Sequence, residues 1–137
     1  MQTNGSFLDE LNPSYLKRLD SILVSLDGGK TVTDYYRGLV TYDKVIENCR
    51  LIREKGFDGD LIARMAISDK SDVFRDVMHL VNLENLKFDH VHWQLDVFWS
   101  EIKNRKNIES WLAEYEKSIT KLVNIFGMSY KKEEYLV

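Results

Sequence analysis

Cysteine and proline are both nearly absent from this 137-residue sequence, which contains one of each. The single cysteine, Cys49, excludes an internal disulfide framework, and it excludes a zinc site or metal cluster held by several cysteines of this chain. The scarcity of proline and the lack of an internal repeat or low-complexity linker favour one compact domain over residues 1–137.

An excess of positive charge is also missing. The 19 Lys and Arg residues are outnumbered by 22 Asp and Glu residues, and the formal net charge is -3. Nucleic acids and anionic lipids select basic surfaces, so we expect neither as a partner. The apolar runs are too short to cross a bilayer, and the first residues do not form a signal sequence. We therefore expect a cytoplasmic protein with no membrane partner.

The residues that are present predict alternating strands and helices. Apolar runs and period-two alternation predict strands at 22–26, 60–68 and 88–98. Capping residues and apolar positions three or four apart predict helices over 12–19, 41–56, 72–81 and 107–127, with a charged tail after Gly127. Cys49 falls on the apolar face of the second helix, where we expect a buried, inert thiol. This order of elements predicts a parallel sheet with β-α-β connections.

Each strand divides its side chains between two faces. The face opposite the helices collects polar residues from all three strands: Ser25, Asp27, Arg64, Ser68, His90, His92, Gln94 and Asp96. A sheet covered by helices on both faces would have near-continuous hydrophobic strands, which residues 88–98 do not show. A barrel with a polar ligand in its lumen accounts better for the pattern. So few strands cannot close a barrel, so we expect an α/β fold: a partial (β/α) barrel with about three to four parallel strands and helices on one face.

Several short motifs follow one another in the sequence. Ser-Leu-Asp-Gly at 25–28 is followed by Asp-Tyr-Tyr-Arg-Gly at 34–38 and by Thr-Tyr-Asp-Lys-Val-Ile-Glu-Asn at 41–48, and Thr-Asn-Gly stands upstream at 3–5. This combination resembles the middle of radical S-adenosylmethionine enzymes of the peptide- and protein-modifying branch. Val40 departs from that pattern, because a glycine commonly precedes the position of Thr41. The tract 89–99 is similar to archaeal-type peptide-modifying members.

The resemblance implies a partial TIM-type barrel that binds S-adenosylmethionine and a four-iron four-sulfur (4Fe-4S) cluster. In such oxidoreductases, reductive cleavage of S-adenosylmethionine gives a 5′-deoxyadenosyl radical that abstracts hydrogen from a peptide or protein substrate. The family's C-x-x-x-C-x-x-C motif and its G-G-E-P-type segment are absent here, and one cysteine cannot ligate the cluster. We therefore expect an internal or C-terminal fragment that lacks the N-terminal strands, holds no cofactor by itself and is inactive alone.

The resemblance assigns cofactor contacts at a few matching positions. Ser25, and with it Asp27, matches the position that contacts the ribose hydroxyls of S-adenosylmethionine, and hydroxyl and carboxylate oxygens suit a diol. Turn formation with the following glycines is the alternative for Asp27. Arg37 is expected either to bind the carboxylate of S-adenosylmethionine or to pair with Asp34.

The lumen-facing residues of the later strands give further candidates. Arg64 is expected to contact a ligand or to form a buried pair with Asp96, because an unpaired buried guanidinium is unfavourable. His90, His92, Gln94 and Asp96 are expected to contact the substrate. Alternatively, they hydrogen-bond across a polar lumen without any ligand.

Two other classes of function stay open. A His-x-His pair followed by a carboxylate is a metal-ligand pattern, so a metal-dependent hydrolase that uses His90, His92 and Asp96 is the alternative enzyme. The remaining histidine, His79, lies on a predicted helix. A non-catalytic α/β interaction module is the third class. Because a half-barrel leaves strand edges and one face open, we expect homo-oligomers formed through that edge or face.

Overall fold

The computed structural model describes residues 1–96 and 107–134, with side chains for 1–96 and 107–128. In these residues four strands form one sheet: β1 (Gln2–Thr3), β2 (Ser21–Ser25), β3 (Asp60–Ile67) and β4 (His90–Leu95). The strands lie side by side in sequence order, and every neighbouring pair is parallel. The predicted α/β class and parallel sheet are confirmed, and the four strands make an open sheet.

Helices connect the strands. They comprise a short 3-10 helix (Leu8–Glu10), α1 (Pro13–Leu16), α2 (Lys30–Arg37), α3 (Thr41–Glu54), α4 (Val73–Val81) and α5 (Ile108–Glu134). Connections between neighbouring parallel strands are right-handed, which places successive helices on the same side of a sheet. None of the helices in the described ranges is both long and apolar enough to cross a membrane.

Capping residues explain where several helices begin. Asn12 precedes Pro13 and accepts a hydrogen bond from the amide of Ser14 at 2.9 Å, as the sequence predicts. Asp72 accepts one from the amide of Arg75 at 3.0 Å and so caps α4. The sequence predicts Thr41 as the cap of α3, and this is wrong, because Thr41 is the first helical residue and Val40 holds the cap position.

Three element boundaries differ from the sequence prediction. A two-residue strand, β1, ends at Thr3, the first residue of the Thr-Asn-Gly motif, and the amide of Leu23 donates to the carbonyl of Met1 at 2.8 Å. Helix α5 continues through Gly127 to Glu134, where the sequence predicted an end at this glycine. β4 ends at Leu95, and the predicted continuation over 97–98 lies outside the described residues.

The hydrophobic core lies between one face of the sheet and the helices. The register aligns Val24, Ala63 and Val91 across three strands, and the first two are completely buried. The helices add buried apolar side chains to the same cluster: Val45, Ile46, Cys49, Ile52, Val73, Val77 and Leu80. Each fully buried Val, Leu or Ile side chain contributes about 1.5–3 kcal/mol to folding, so this face holds the sheet and helices together.

The opposite face of the sheet is less covered. Its central residues Leu23, Ile62 and Ala66 are half-buried, and the alternate residues of β4 are exposed. Parallel strands are usually buried on both faces, so a face that is exposed along β4 and only half-buried over much of β2 and β3 is unusual for such a sheet. We refer to this surface, formed by residues 23, 25, 62, 64, 66, 90, 92 and 94, as the open face.

Candidate functional site

Three of the predicted site residues form a row across the open face. The register places Ser25 of β2 beside Arg64 of β3, and it places Arg64 beside His92 of β4. Neighbouring strands are about 4.8 Å apart, so three polar side chains from separate parts of the sequence lie next to one another. Ser25 ends β2, whereas Arg64 and His92 lie within β3 and β4, so the Ser25 side of the row lies at the strand end where parallel α/β folds bind ligands.

The hydroxyl of Ser25 has no hydrogen-bond partner among the residues that the structure describes, and the residue is 8% exposed. A serine hydroxyl both donates and accepts hydrogen bonds, so it suits a ligand hydroxyl, which has the same two capacities. Ser25 is therefore placed to contact a small polar ligand beside Arg64.

Arg64 is half-buried on the same face. Its Nη2 donates a hydrogen bond to Oε1 of Gln94 at 2.9 Å. This contact uses one of several N–H donors of the guanidinium group. The side chain of Gln94 is neutral, so it does not neutralise the positive charge. The side chain that orients Arg64 is thus Gln94, and the arrangement favours an anionic ligand.

Asp27 and Arg37 contact each other, and Asp27 also contacts the backbone of β3. Arg37 places Nη2 at 2.7 Å from Oδ1 of Asp27, and its Nε lies 2.7 Å from Oδ2. The amide of Ala66 also donates to Oδ1 at 2.9 Å. The predicted alternative pairing of Arg37 with Asp34 is not formed, since Asp34 instead accepts from the amide of Tyr42 at 2.8 Å. The almost fully buried Asp27 carboxylate therefore joins β2, β3 and α2.

A buried carboxylate that the sequence analysis missed supports the loop after β2. Asp76 of α4 is 1% exposed and accepts hydrogen bonds from the amides of Asp72 at 2.9 Å and Gly29 at 3.4 Å. Gly28 has φ +123°, and a Cβ there would lie 2.5 Å from Asp76. The sequence does contain a sign of this role: Asp76 is the fourth residue after the helix cap Asp72, and from that position its carboxylate can reach back to the free amides at the helix start.

The histidines of β4 do not form a metal-binding group with other described side chains. His90 is largely exposed and its Nε2 lies 3.9 Å from Oδ2 of Asp60, while His92 is exposed beside Arg64. Over 1–96 and 107–134, no three His, Cys, Asp or Glu side chains are placed to hold a metal ion. His79 lies on the helix side, with Nε2 at 2.6 Å from the hydroxyl of Tyr42. The described residues thus give the metal-dependent hydrolase no support.

Ser68 and Asp96 follow the ends of β3 and β4. Ser68 is buried, and its carbonyl accepts a hydrogen bond from Nε1 of Trp111 at 3.0 Å. Asp96 is half-buried, and its amide donates to the carbonyl of Ile67 at 2.9 Å. Both residues help to fix strand ends.

Tyr36 and Cys49 have shifted acid-base properties. Burial and the neighbouring Asp69 raise the pKa of Tyr36 to about 12, so its hydroxyl stays protonated and donates to that carboxylate. Burial raises the pKa of Cys49 to about 12, and the thiol is completely buried on the helix side. The predicted burial of the Cys49 thiol is therefore confirmed, and Cys49 does not fit as a cluster ligand.

Two surface grooves lie away from the open face. One, of about 520 Å³, separates the β3–α4 loop from α5 and is lined by residues that include Asp69, Trp111 and Tyr115. The other, of about 480 Å³, runs between α2 and α4 beside Tyr35 and Arg75. Comparison of the chain with protein-family models, with curated proteins and with solved structures gave no match.

Proposed function

We propose that this chain forms one wall of an S-adenosylmethionine site in a radical enzyme that modifies a peptide or protein. The observation that carries the proposal is the adjacent pair of Ser25 and Arg64 on the open face. In this proposal Ser25 binds a ribose hydroxyl, and Arg64 binds the carboxylate of S-adenosylmethionine. Asp27 and Arg37, which also match the family pattern, hold the strand ends in place and do not contact the ligand.

Contacts between the motifs support the proposal. Asp27 of Ser-Leu-Asp-Gly pairs with Arg37 of Asp-Tyr-Tyr-Arg-Gly. Nδ2 of Asn48, the last residue of the 41–48 motif, donates to the carbonyl of Gly5 in Thr-Asn-Gly at 2.9 Å. The residues that carry the resemblance thus fix one another, which gives a physical reason for their occurrence together.

The backbone at Val40 also supports it. Val40 has φ 68° and ψ 0°, a left-handed conformation that glycine adopts readily and a β-branched residue rarely adopts. This is the position at which the family pattern commonly has glycine. The sequential parallel strands, and the polar groups that β2, β3 and β4 each place on the open face, are likewise compatible with part of a (β/α) barrel.

The two implied cofactors fit this chain differently. Ser25 and Arg64 offer a hydroxyl and a guanidinium that match the ribose and carboxylate of S-adenosylmethionine. Bound S-adenosylmethionine would supply the hydrogen-abstracting group of the reaction. The iron-sulfur cluster does not fit, because the only cysteine is buried on the helix side. Its ligands must come from outside this chain, and the chain's own part is to bind and orient S-adenosylmethionine.

Equilibrium dialysis of S-adenosylmethionine against the 137-residue chain tests this proposal. The sequence predicts that the chain alone holds no cofactor, whereas the adjacent Ser25 and Arg64 of the folded sheet lead us to expect that the chain itself binds S-adenosylmethionine. This binding should weaken about five- to tenfold in Ser25→Ala and in Arg64→Gln, since each variant removes a protein group that hydrogen-bonds to the ligand. Lys117→Gln removes an equal charge from exposed α5 and should bind as the parent chain does. Absence of binding, or equal affinity in all the variants, would contradict the proposal.

A further inference from the structure

The part of the open face beyond Ser25 has its own regular pattern. His90, His92 and Gln94 are exposed at alternate positions of β4, so all three point to the same side. Two residues of a strand span about 6.6 Å, which sets the spacing of these polar groups. Arg64 lies beside His92 and bonds to Gln94, and it adds a fixed positive charge to the row.

Among the residues that the structure describes, no ion pair joins a carboxylate to Arg64 or His92 at the centre of this row. Asp27 is occupied by Arg37 and the Ala66 amide. Asp60 lies at the first position of β3, where it approaches His90 at 3.9 Å. Asp89 accepts hydrogen bonds from Arg53 and from the Leu61 amide. Asp96, which follows β4, already has an interaction partner.

We propose that this row recognises an extended acidic segment of a peptide substrate, with carboxylates at alternate residues. An extended peptide presents alternate side chains on one side at the same spacing of about 6.6 Å, so successive carboxylates can meet successive donors of β4. The imidazole of His92 can donate to a carboxylate oxygen of the peptide, and Arg64 has five N–H donors, enough to serve a peptide carboxylate beside that of S-adenosylmethionine. The chain's net charge of -3 disfavours a polyanion as large as a nucleic acid. This inference rests on the proposed function, and it names the substrate class of the same site.

Fluorescence anisotropy with three capped, labelled heptapeptides tests the inference. The first alternates Ala and Glu, the second replaces each Glu by Gln, and the third places the same number of Glu residues consecutively. We expect the alternating Glu peptide to bind about five- to tenfold more tightly than the other two, because exposed charge pairs each contribute modestly. Equal binding of the three peptides, or no binding of any, would overturn the inference.

Variants show whether the preference comes from this row. His92→Gln and Arg64→Gln should each reduce the preference for the alternating Glu peptide about three- to fivefold, and Lys117→Gln should keep it. A preference unchanged in His92→Gln and Arg64→Gln would also overturn the inference. His92 has no assigned contact with S-adenosylmethionine, so His92→Gln should retain its affinity in dialysis. If the parent chain binds S-adenosylmethionine but shows no preference among the peptides, the inference alone is refuted. If the parent chain does not bind S-adenosylmethionine in dialysis, the proposed function is refuted.

Discussion

Val40 is one of three non-glycine residues with a positive φ in the described part of the chain, and the other two are asparagines, which tolerate that conformation better. The Val40 side chain is 64% exposed, so packing does not explain why a β-branched residue stands in a left-handed conformation. Such a conformation is unfavourable for an L-residue by about 1–2 kcal/mol. Its backbone position joins α2 to α3, and the amide of Lys44 donates to its carbonyl at 3.2 Å.

Val40→Gly should therefore stabilise the chain. Relief of the strain outweighs the greater flexibility that glycine gives the unfolded chain, and we expect a net gain of about 1 kcal/mol in the free energy of unfolding. Urea denaturation measures it. Leu39→Gly is the control, because Leu39 is 88% exposed and has no positive φ, and it should give no gain. A Val40→Gly chain no more stable than the parent would show that the position is unstrained.

Gly28 and Gly29 look equivalent in the sequence and are not equivalent in the structure. Gly28 has a positive φ, and a Cβ there would lie 2.5 Å from Asp76, whereas the nearest contact of a Cβ at Gly29 is 3.8 Å from His79. Gly28→Ala should therefore lower the free energy of unfolding by about 2 kcal/mol or more, through strain and displacement of a buried carboxylate. Gly29→Ala should change it little. Denaturant midpoints that fall equally in both variants would contradict this difference.

The sequence sufficed to predict which side chains share the open face, but not which residues the buried carboxylates beside it would contact. Period-two alternation suffices to place Arg64 and His92 on the same face, because the side chains of a strand alternate whatever surrounds it. The pairing of Asp27 with Arg37 depends on how α2 packs against two strand ends. Asp76 likewise becomes a loop partner only through tertiary packing.

At the scale of elements, the sequence predicts those boundaries that depend only on neighbouring residues. Asn12 and Pro13 start a helix because the cap and the fixed φ of proline act within one turn. Gly127 did not end α5, because glycine stops a helix only where it adopts a positive φ, and Gly127 does not. β1 is too short to show a periodicity, and it is a strand only because β2 lies beside it.

The starts of β3 and β4 are joined through Asp89. Burial alone would raise the pKa of Asp89, but hydrogen bonds from the Leu61 amide and from Arg53 outweigh it and hold the pKa below its ordinary value. A carboxylate with a lowered pKa in the folded state stabilises the fold above its unfolded pKa, near 3.8. That stabilisation is lost as the pH falls below this value through the folded pKa.

Asp89→Asn should therefore be less stable than the parent chain at neutral pH by about 1–2 kcal/mol, because the Leu61 amide and Arg53 lose a charged acceptor. The difference should shrink as the pH falls from about 5 to below 3. Thermal unfolding at several pH values measures it. Asp58→Asn, at an exposed position of the neighbouring loop, serves as the control and should track the parent. A stability difference between the parent chain and Asp89→Asn that is constant with pH would refute the role of this carboxylate.

At the scale of the whole molecule, the open sheet leaves backbone groups on the outer side of β4 without a strand partner among the described residues. Unpaired edges favour pairing with another chain, so the expected self-association stays a prediction. Sedimentation velocity should show species larger than a monomer at micromolar concentrations. Gln94→Lys, which adds a charge to the edge strand, should shift the distribution toward monomer, and Lys117→Gln should not. A clean monomer for the parent chain across this range would contradict the prediction.

The central claim is that the open face binds S-adenosylmethionine at the adjacent Ser25 of β2 and Arg64 of β3. Titration of the isotope-labelled chain with S-adenosylmethionine, followed by amide chemical shifts in NMR spectra, tests it most directly. The account predicts that the largest shifts occur at Ser25, Arg64 and Ala66 and that they diminish in Arg64→Gln. Absence of shifts at millimolar ligand, or shifts concentrated at Trp111 and Tyr115 in the groove beside α5, would contradict it.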